Sequence, residues 1–350
     1  MRVLFVRLSS FGDVVFALPA AKALKAALTG AHLTWAIEPP LAPLLEGAAY
    51  VDEVIRVDSR GWRRAWRAVK TRQEISDFLR RLRGQEGRGR DSFDLVVDAQ
   101  GLFKSAIVTL AASSPRKVGF GFRTATERIN CLFTDEHVDV DRNARPHVLD
   151  QMLALAEHVT GRIGFERTPD VRHLVEKKDP AVDEWLEHFG SRPFAVLQPF
   201  SSKGDKEWPG GEVAAFAEWL SSENIQPVLR WGPGEESRAQ DLLTLSKKSP
   251  SPSLSPSMPP LLLAPPTTPA SSARLAARAA LFVGADTGPT HLAAAAGAPT
   301  LALFGPTPPE RFGPVGPRTA VLRESPAAYN RSSGRWPVED VREAARRLLA

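Results

Sequence analysis

The sequence predicts an α/β protein made of two doubly wound halves, each a parallel sheet covered by helices. Three observations predict it. Short apolar, β-branched runs alternate with helix-spaced stretches from Arg2 to Val159. The same alternation restarts at Phe194, and the polar stretch Asp170–Pro193 lies between the two series. Strands that alternate with helices imply parallel βαβ units. Two such series of Rossmann type imply two domains with a cleft between them.

In the first series, Arg2–Arg7 (RVLFVR) reads as a strand, Ser9-Ser10-Phe11-Gly12-Asp13 as a break, and Val14–Leu28 as a helix. His32–Ile37, Val54–Val57, Asp94–Asp98 and Arg116–Phe120 read as further strands, and Pro146–Val159 as a long amphipathic helix. In the second, Phe194–Gln198, Pro227–Trp231, Leu281–Ala285 and Thr300–Phe304 are the expected strands. Gly210–Ser221, Ala273–Ala280 and Thr290–Ala296 are the expected helices. Lys247–Pro269 is rich in Pro and Ser and cannot sustain a helix. It reads as a surface insertion, with Leu261–Leu263 a short buried strand inside it.

Length supports two domains, because 350 residues exceed what one core usually absorbs. No run approaches the ~18–20 apolar residues of a membrane span. Asp13 interrupts the apolar opening, so a secretory leader is not expected. One cysteine, Cys131, excludes a disulfide scaffold and a thiolate metal cage. A cytoplasmic protein is the expectation. The net charge of +5 is unevenly spread: twelve Lys and Arg against four acids between Arg56 and Arg90 make that segment +8 and leave −3 for the rest. Such a field suits a polyanion, an anionic membrane surface, or a phosphorylated or carboxylated substrate; a solvated basic helix face explains it as well.

Candidate chemistry gathers where strands hand over to helices. Ser10, Gly12 and Asp13 follow the first strand, where ligands sit in open α/β sheets, although Ser10 or Asp13 could equally cap the helix. Ser201-Ser202-Lys203-Gly204-Asp205-Lys206 offers hydroxyls, a glycine and two cations after the first strand of the second half, suited to a diphosphate. Asp286-Thr287-Gly288-Pro289-Thr290-His291 ends a strand and opens an Ala-rich helix whose amides favour an anion. Trp231–Glu236 and Gly305–Thr307 close two further strands. Together these indicate a nucleotide-type pocket. Neither GxGxxG nor a Walker A sequence is present, no metal-ligand spacing is visible, and GxSxG is absent.

The opening MRVLFVRLSSFGDVVFALPA, DAQGLFKSA at Asp98–Ala106, SSKGDKEWP at Ser201–Pro209 and GADTGPTHLAAAAGAPTLALFGPT at Gly284–Thr307 resemble the ADP-heptose:lipopolysaccharide heptosyltransferases of glycosyltransferase family 9. The similarity is greatest to their type I members. It implies a GT-B fold: an acceptor-binding domain over 1–175, a donor-binding domain over 176–335 with the insertion at about 247–259, and a C-terminal helix over 336–350 packed back on the first domain. It implies a cytoplasmic, peripherally membrane-associated enzyme of lipopolysaccharide inner-core biosynthesis. The reaction implied is an inverting, metal-independent transfer of heptose from ADP-heptose to Kdo-lipid A.

By the same resemblance, Asp13 is the general base and Lys206 the diphosphate cation. Ser201, Ser202, Glu236 (with Glu235 beside it), Asp286, Thr287, Gly288 and His291 bind the donor. Ser10, Gly12, Arg60, Arg63, Arg64, Gln100 and Arg123 bind the anionic acceptor, where guanidinium groups suit carboxylates. Trp62 and Trp66 with the basic segment could rest on the anionic inner leaflet. A monomer without nucleic-acid partners is expected. The alternatives are a type II or later core heptosyltransferase, a GT-B sugar-nucleotide epimerase or phosphorylase, and a non-catalytic nucleotide-sugar-binding protein.

Overall fold

Twelve strands form two six-stranded, wholly parallel sheets in a computed structural model that describes residues 1–65, 67–83, 93–187, 189–201, 203–248, 261–324 and 335–350, the side chains of Arg60 and Lys248 excepted. The chain divides into a unit over Met1–Pro169 and one over Asp170–Ala350.

The first unit runs β1 (Arg2–Val6), α1 (Phe11–Ala27), β2 (His32–Ile37), β3 (Glu53–Arg56), α2 (Ser59–Ala65), α3 (Val69–Arg83), β4 (Leu95–Asp98), α4 (Phe103–Ala111), β5 (Lys117–Phe120), β6 (Glu136–Val138) and α5 (Val148–Thr160). Its sheet order is β3-β2-β1-β4-β5-β6. The inner strands are buried on both faces, as parallel sheets demand, so they read as unbroken apolar runs. Helix α1 packs against α5, while Phe78 and Leu82 of α3 and Val108 of α4 join a separate core with Leu4, Val6 and Val96.

The second unit runs α6 (Arg172–Glu176), α7 (Pro180–Glu187), β7 (Phe194–Gln198), α8 (Gly210–Ser222), β8 (Gln226–Leu229), α9 (Glu236–Lys248), β9 (Leu262–Leu263), α10 (Pro269–Arg278), β10 (Leu281–Ala285), α11 (Gly288–Ala295), β11 (Thr300–Phe304), α12 (Pro309–Phe312), β12 (Thr319–Arg323) and α13 (Val338–Leu349). Its sheet order is β12-β11-β10-β7-β8-β9. Its two apolar clusters are distinct, one holding Phe216, Trp219 and Trp336, the other Phe194, Leu275 and Phe282.

The predicted α/β class and two-sheet architecture hold, with differences in detail. The division falls at Pro169, and the stretch expected to be a polar connector carries α6 and α7, which pack on α10. Leu174, Val182 and Leu186 are the buried residues that tie them down. The C-terminal helix packs on its own unit: Trp336, Val341, Ala345 and Leu348 are buried in the cluster with Leu197 and Phe216. A stripe at that spacing needs an apolar wall, and the second unit supplies it. Most of the Pro/Ser insertion lies outside the described residues; the short buried strand expected inside it at Leu261–Leu263 is present as β9, one residue shorter and half-buried.

Candidate functional site

Each sheet reverses its strand order once, between β1 and β4 in the first unit and between β7 and β10 in the second. In open α/β sheets a ligand binds outside the carboxyl ends of the strands at such a switch point. Register brings the two ends level there. Val6 lies opposite Asp98 and Gly284 opposite Gln198, so the chemistry-bearing loops leave each sheet side by side.

In the first unit, α1 starts with Ser10 at its N-cap and Asp13 in its first turn. Asp13 Oδ2 accepts from the Ser10 hydroxyl at 2.8 Å and its amide at 3.2 Å, and meets an Arg7 guanidinium nitrogen at 2.9 Å. Capping and function are therefore not exclusive, because these contacts all fall on Oδ2. Burial pushes the Asp13 carboxyl upward, but Arg7 and the two Ser10 donors outweigh it and hold the pKa below the ordinary carboxylate value.

Arg7 also donates to the Ala99 carbonyl at 2.8 Å. Gln100 Oε1 accepts from the Leu8 amide at 2.7 Å, and its Nε2 donates to the Ser9 carbonyl at 3.3 Å. Below, the buried Asp98 carboxylate accepts from the Gln100 and Gly101 amides, Thr109 and Asn130. This network fixes the β4 loop against the β1 loop. Lys104 Nζ reaches the Ser9 hydroxyl and lies 2.8 Å from Glu38.

The remaining acceptor candidates lie on the exposed side. Gly12 is in the first turn of α1, Arg63 and Arg64 are exposed on α2, and Arg123 is exposed beyond β5. The Arg60 side chain and Trp66 lie outside the described residues. At Gly61 a Cβ would run into the Asp58 carboxylate, which accepts from the Gly61 amide at 2.9 Å. Trp62 is half-buried against Phe78, with ring centroids 4.9 Å apart. Its ring packs against the core that Phe78 shares with α4 and β1.

In the second unit, Lys206 closes a 3₁₀ turn (Gly204–Lys206) after β7, and Asp286 directly follows β10. Lys206 Nζ meets Asp286 Oδ2 at 2.5 Å, the Thr307 hydroxyl donates to the same oxygen at 2.5 Å, and His291 Nε2 lies 3.2 Å from Oδ1. Burial would raise the Asp286 carboxyl; the hydrogen bond and charge of His291, with Lys206 and Thr307, hold it far below the usual range. Thr287 holds the N-cap position of α11, Gly288 is its first residue, and Thr290 donates to the Ala285 carbonyl at 2.7 Å. A Cβ on Gly284 would strike that threonine, so glycine lets α11 sit close on the strand.

Ser201 is buried and its hydroxyl accepts from the Lys203 amide at 3.2 Å; Ser202 lies outside the described residues. Glu235 turns back to accept from the Gly232 amide at 2.6 Å, which leaves Glu236 as the exposed acid at the start of α9. Among the described residues no group of three or more His, Cys, Asp or Glu side chains is placed to hold a metal ion.

Arg7, Glu38, Lys104 and Arg230 were not assigned from sequence. Arg230 follows β8, is buried, and bonds Gln198 at 2.5 Å and Ser272 at 3.0 Å; burial pushes its pKa down to about 10. The available signal was a charged residue one step beyond an apolar strand, as at Arg7 after Val6 and Arg230 after Leu229.

The family model for glycosyltransferase family 9 (heptosyltransferase) matches residues 80–335. Lipopolysaccharide heptosyltransferase 1 of Salmonella typhimurium is 30% identical over 90% of this chain and 92% of its own. The structure of E. coli heptosyltransferase WaaC with ADP is similar, with a TM-score of 0.80 and 27% identity over 99% of this chain and all of that one. E. coli ADP-heptose heptosyltransferase II shares the fold, with a TM-score of 0.74 and 22% identity over 100% of this chain and 98% of that one.

Proposed function

This chain belongs to glycosyltransferase family 9, the heptosyltransferases, and on that premise we propose that it moves heptose from ADP-L-glycero-D-manno-heptose to a Kdo residue of Kdo-lipid A. In this reading the transfer inverts the anomeric carbon, Asp13 is the general base, and no metal takes part.

The observation that carries the reading is the one-sided bonding of Asp13. Oδ2 is held by Arg7 and Ser10, so the carboxylate is ionised and Oδ1 is left for a substrate hydroxyl. As the acceptor oxygen attacks the anomeric carbon, its proton passes to Asp13 and the bond from that carbon to the diphosphate oxygen breaks. ADP leaves with the electron pair. A base with a lowered pKa is weak against a free hydroxyl, so the proton moves late, once the forming bond has made that hydroxyl acidic. Lys206 is the fixed cation that offsets charge gathering on the ADP. To do so it exchanges Asp286 for a phosphate oxygen, while His291 and Thr307 keep Asp286 satisfied.

The relatives support the donor: a similar structure is that of a heptosyltransferase with ADP. Arg63, Arg64 and Arg123 support a carboxylated acceptor. The enzyme would work as a monomer at the cytoplasmic face of the inner membrane, without a nucleic-acid partner. The test is ADP release from ADP-heptose with Kdo-lipid A, with the same acceptor already carrying one heptose, and with none. Release that needs bare Kdo-lipid A and vanishes in Asp13→Ala supports the reading. Release only with the heptosylated acceptor assigns the chain to a later step, and release without acceptor rejects transfer.

A further inference from the structure

We propose that the outer face of α4, with the adjoining 3₁₀ turn Arg128–Phe133, is the surface by which this chain docks on an anionic lipid bilayer. The proposal rests on the lipid-borne acceptor of the reading above and names the surface that meets its membrane.

Helix α4 is built inside out. Its inward residues include Ser105 and Thr109, both wholly buried, which bond Asn130 and Asp98. Its outward face carries Phe103, Ile107 and Leu110, at i, i+4 and i+7, one stripe along the helix. The 3₁₀ turn packs beside it. Asn130 points inward to α4, donating to the Leu102 carbonyl and Ser105, and Ile129 and Leu132, one 3₁₀ turn apart, point out. All five apolar side chains are 48–70% exposed. Contiguous apolar surface of this kind on a water-facing element marks an interaction site.

Charge selects the occupant. Lys104 and Arg128 lie on these two elements, and the exposed Arg123 is in the loop leading to the turn. Glu38 pairs with Lys104 at 2.8 Å, and Glu127 accepts from the Phe103 amide at 2.5 Å, so its charge sits against the N-terminus of α4; Arg123 and Arg128 are the exposed cations of the rim. An apolar stripe rimmed by cations suits an anionic lipid surface. The face also starts beside the acceptor loop: Lys104 reaches Ser9, and Gln100, three residues before Phe103, holds the Leu8–Ser9 backbone.

The experiment is co-sedimentation of the full chain with vesicles of phosphatidylethanolamine and phosphatidylglycerol, and with phosphatidylcholine vesicles as control. The triple variant Phe103→Ser, Ile107→Ser, Leu110→Ser and, separately, Ile129→Ser with Leu132→Ser are compared with the unchanged chain. Expected are binding to the anionic vesicles, a loss of about tenfold or more in each variant, and unchanged turnover on an acceptor fragment stripped of its acyl chains. Failure of the unchanged chain to bind, or variants that bind equally well, overturns the proposal. So does a dimer in sedimentation velocity that the variants abolish, which would make the face a self-interface. Vesicle binding without any heptose transfer overturns the proposed function and leaves the docking surface standing.

Discussion

Arg7 binds Asp13 through one guanidinium nitrogen, at 2.9 Å, and the Ala99 carbonyl through the other, at 2.8 Å. A residue at the end of one strand thereby fixes the base of the next helix and ties both to the neighbouring strand. In the proposed reaction the arrangement separates two roles: Arg7 orients Asp13 and favours its ionised form, and Asp13 takes the proton.

Replacing Asp13 with Asn removes the proton acceptor and keeps the shape. Turnover should fall by about 10²–10⁴-fold while ADP binds as before. Calorimetric titration with ADP and an ADP-release assay separate the two; equal loss of both would remove Asp13 from the chemistry.

Arg7→Met should move the pH profile. Arg7 is a principal reason that the Asp13 pKa lies below its ordinary value, and without it burial pushes the carboxyl upward. A base must be ionised, so the acid limb of kcat/KM should shift to higher pH. In stability the sign is the reverse of a raised group. The lowered Asp13 pKa stabilises the fold above the unfolded value of about 4, and this contribution fades as pH falls through the folded value. An unshifted acid limb in Arg7→Met would show that another group sets it.

Lys206→Met removes the cation nearest Asp286. ADP affinity should drop by about 10–100-fold. The variant should also lose about 1–3 kcal/mol, because a buried carboxylate keeps only His291 and Thr307. In the unchanged protein this cluster adds an acid-labile term: the depressed Asp286 pKa gives stability that is complete above about pH 4 and declines below it. Thermal melts with and without ADP, at neutral pH and pH 3, read all three effects. Unaltered ADP affinity would remove Lys206 from the donor site.

Trp336→Ala tests the ownership of the C-terminal helix. Trp336 is fully buried with Phe216 and Leu197 in one apolar cluster, so truncation should cost about 3–5 kcal/mol and lower the melting of the second unit. Hydrogen exchange should speed up in β7, β10 and α8 and stay unchanged in β1 and β4. Loosening of β1 instead would place the helix on the first unit after all.

The inner strands were legible because they are buried on both faces, and four of them, His32–Ile37, Phe194–Gln198, Leu281–Ala285 and Thr300–Phe304, have the bounds read from sequence. The edge strands β6 and β12 were not read: each has one neighbour and a mixed face. Helix α3 was hidden because only Thr71, Phe78 and Leu82 are buried along fifteen largely polar residues. Helix α10 starts four residues earlier than periodicity suggested, since Thr268 caps it and Pro269 takes the first-turn position where its missing N–H costs nothing.

The site followed the same logic. Asp13, Lys206, Asp286 and His291 announce themselves by their place in strand-to-helix loops. The pairing of Lys206 with Asp286, eighty residues apart, depends on the order of strands in the sheet, which local pattern does not carry. Arg7 and Lys104 went unassigned because their meaning lies in partners that only the folded chain brings near.

The burial of Trp336, Val341 and Leu348 beside β7 and β10 has a consequence for synthesis on the ribosome. The first unit has all its strands and helices once α5 has emerged, whereas the second needs residues from Phe194 to Leu348 for its core. At roughly 5–20 residues per second, the half that carries Asp13 would wait folded for about 10–40 s beside an unfinished neighbour. That neighbour exposes the strands of an incomplete parallel sheet, an invitation to chaperones. Chains stalled shortly before Trp336 should resist protease up to about Pro169 and be cut beyond it; protection of both halves would show that the last helix is dispensable for closing the second core.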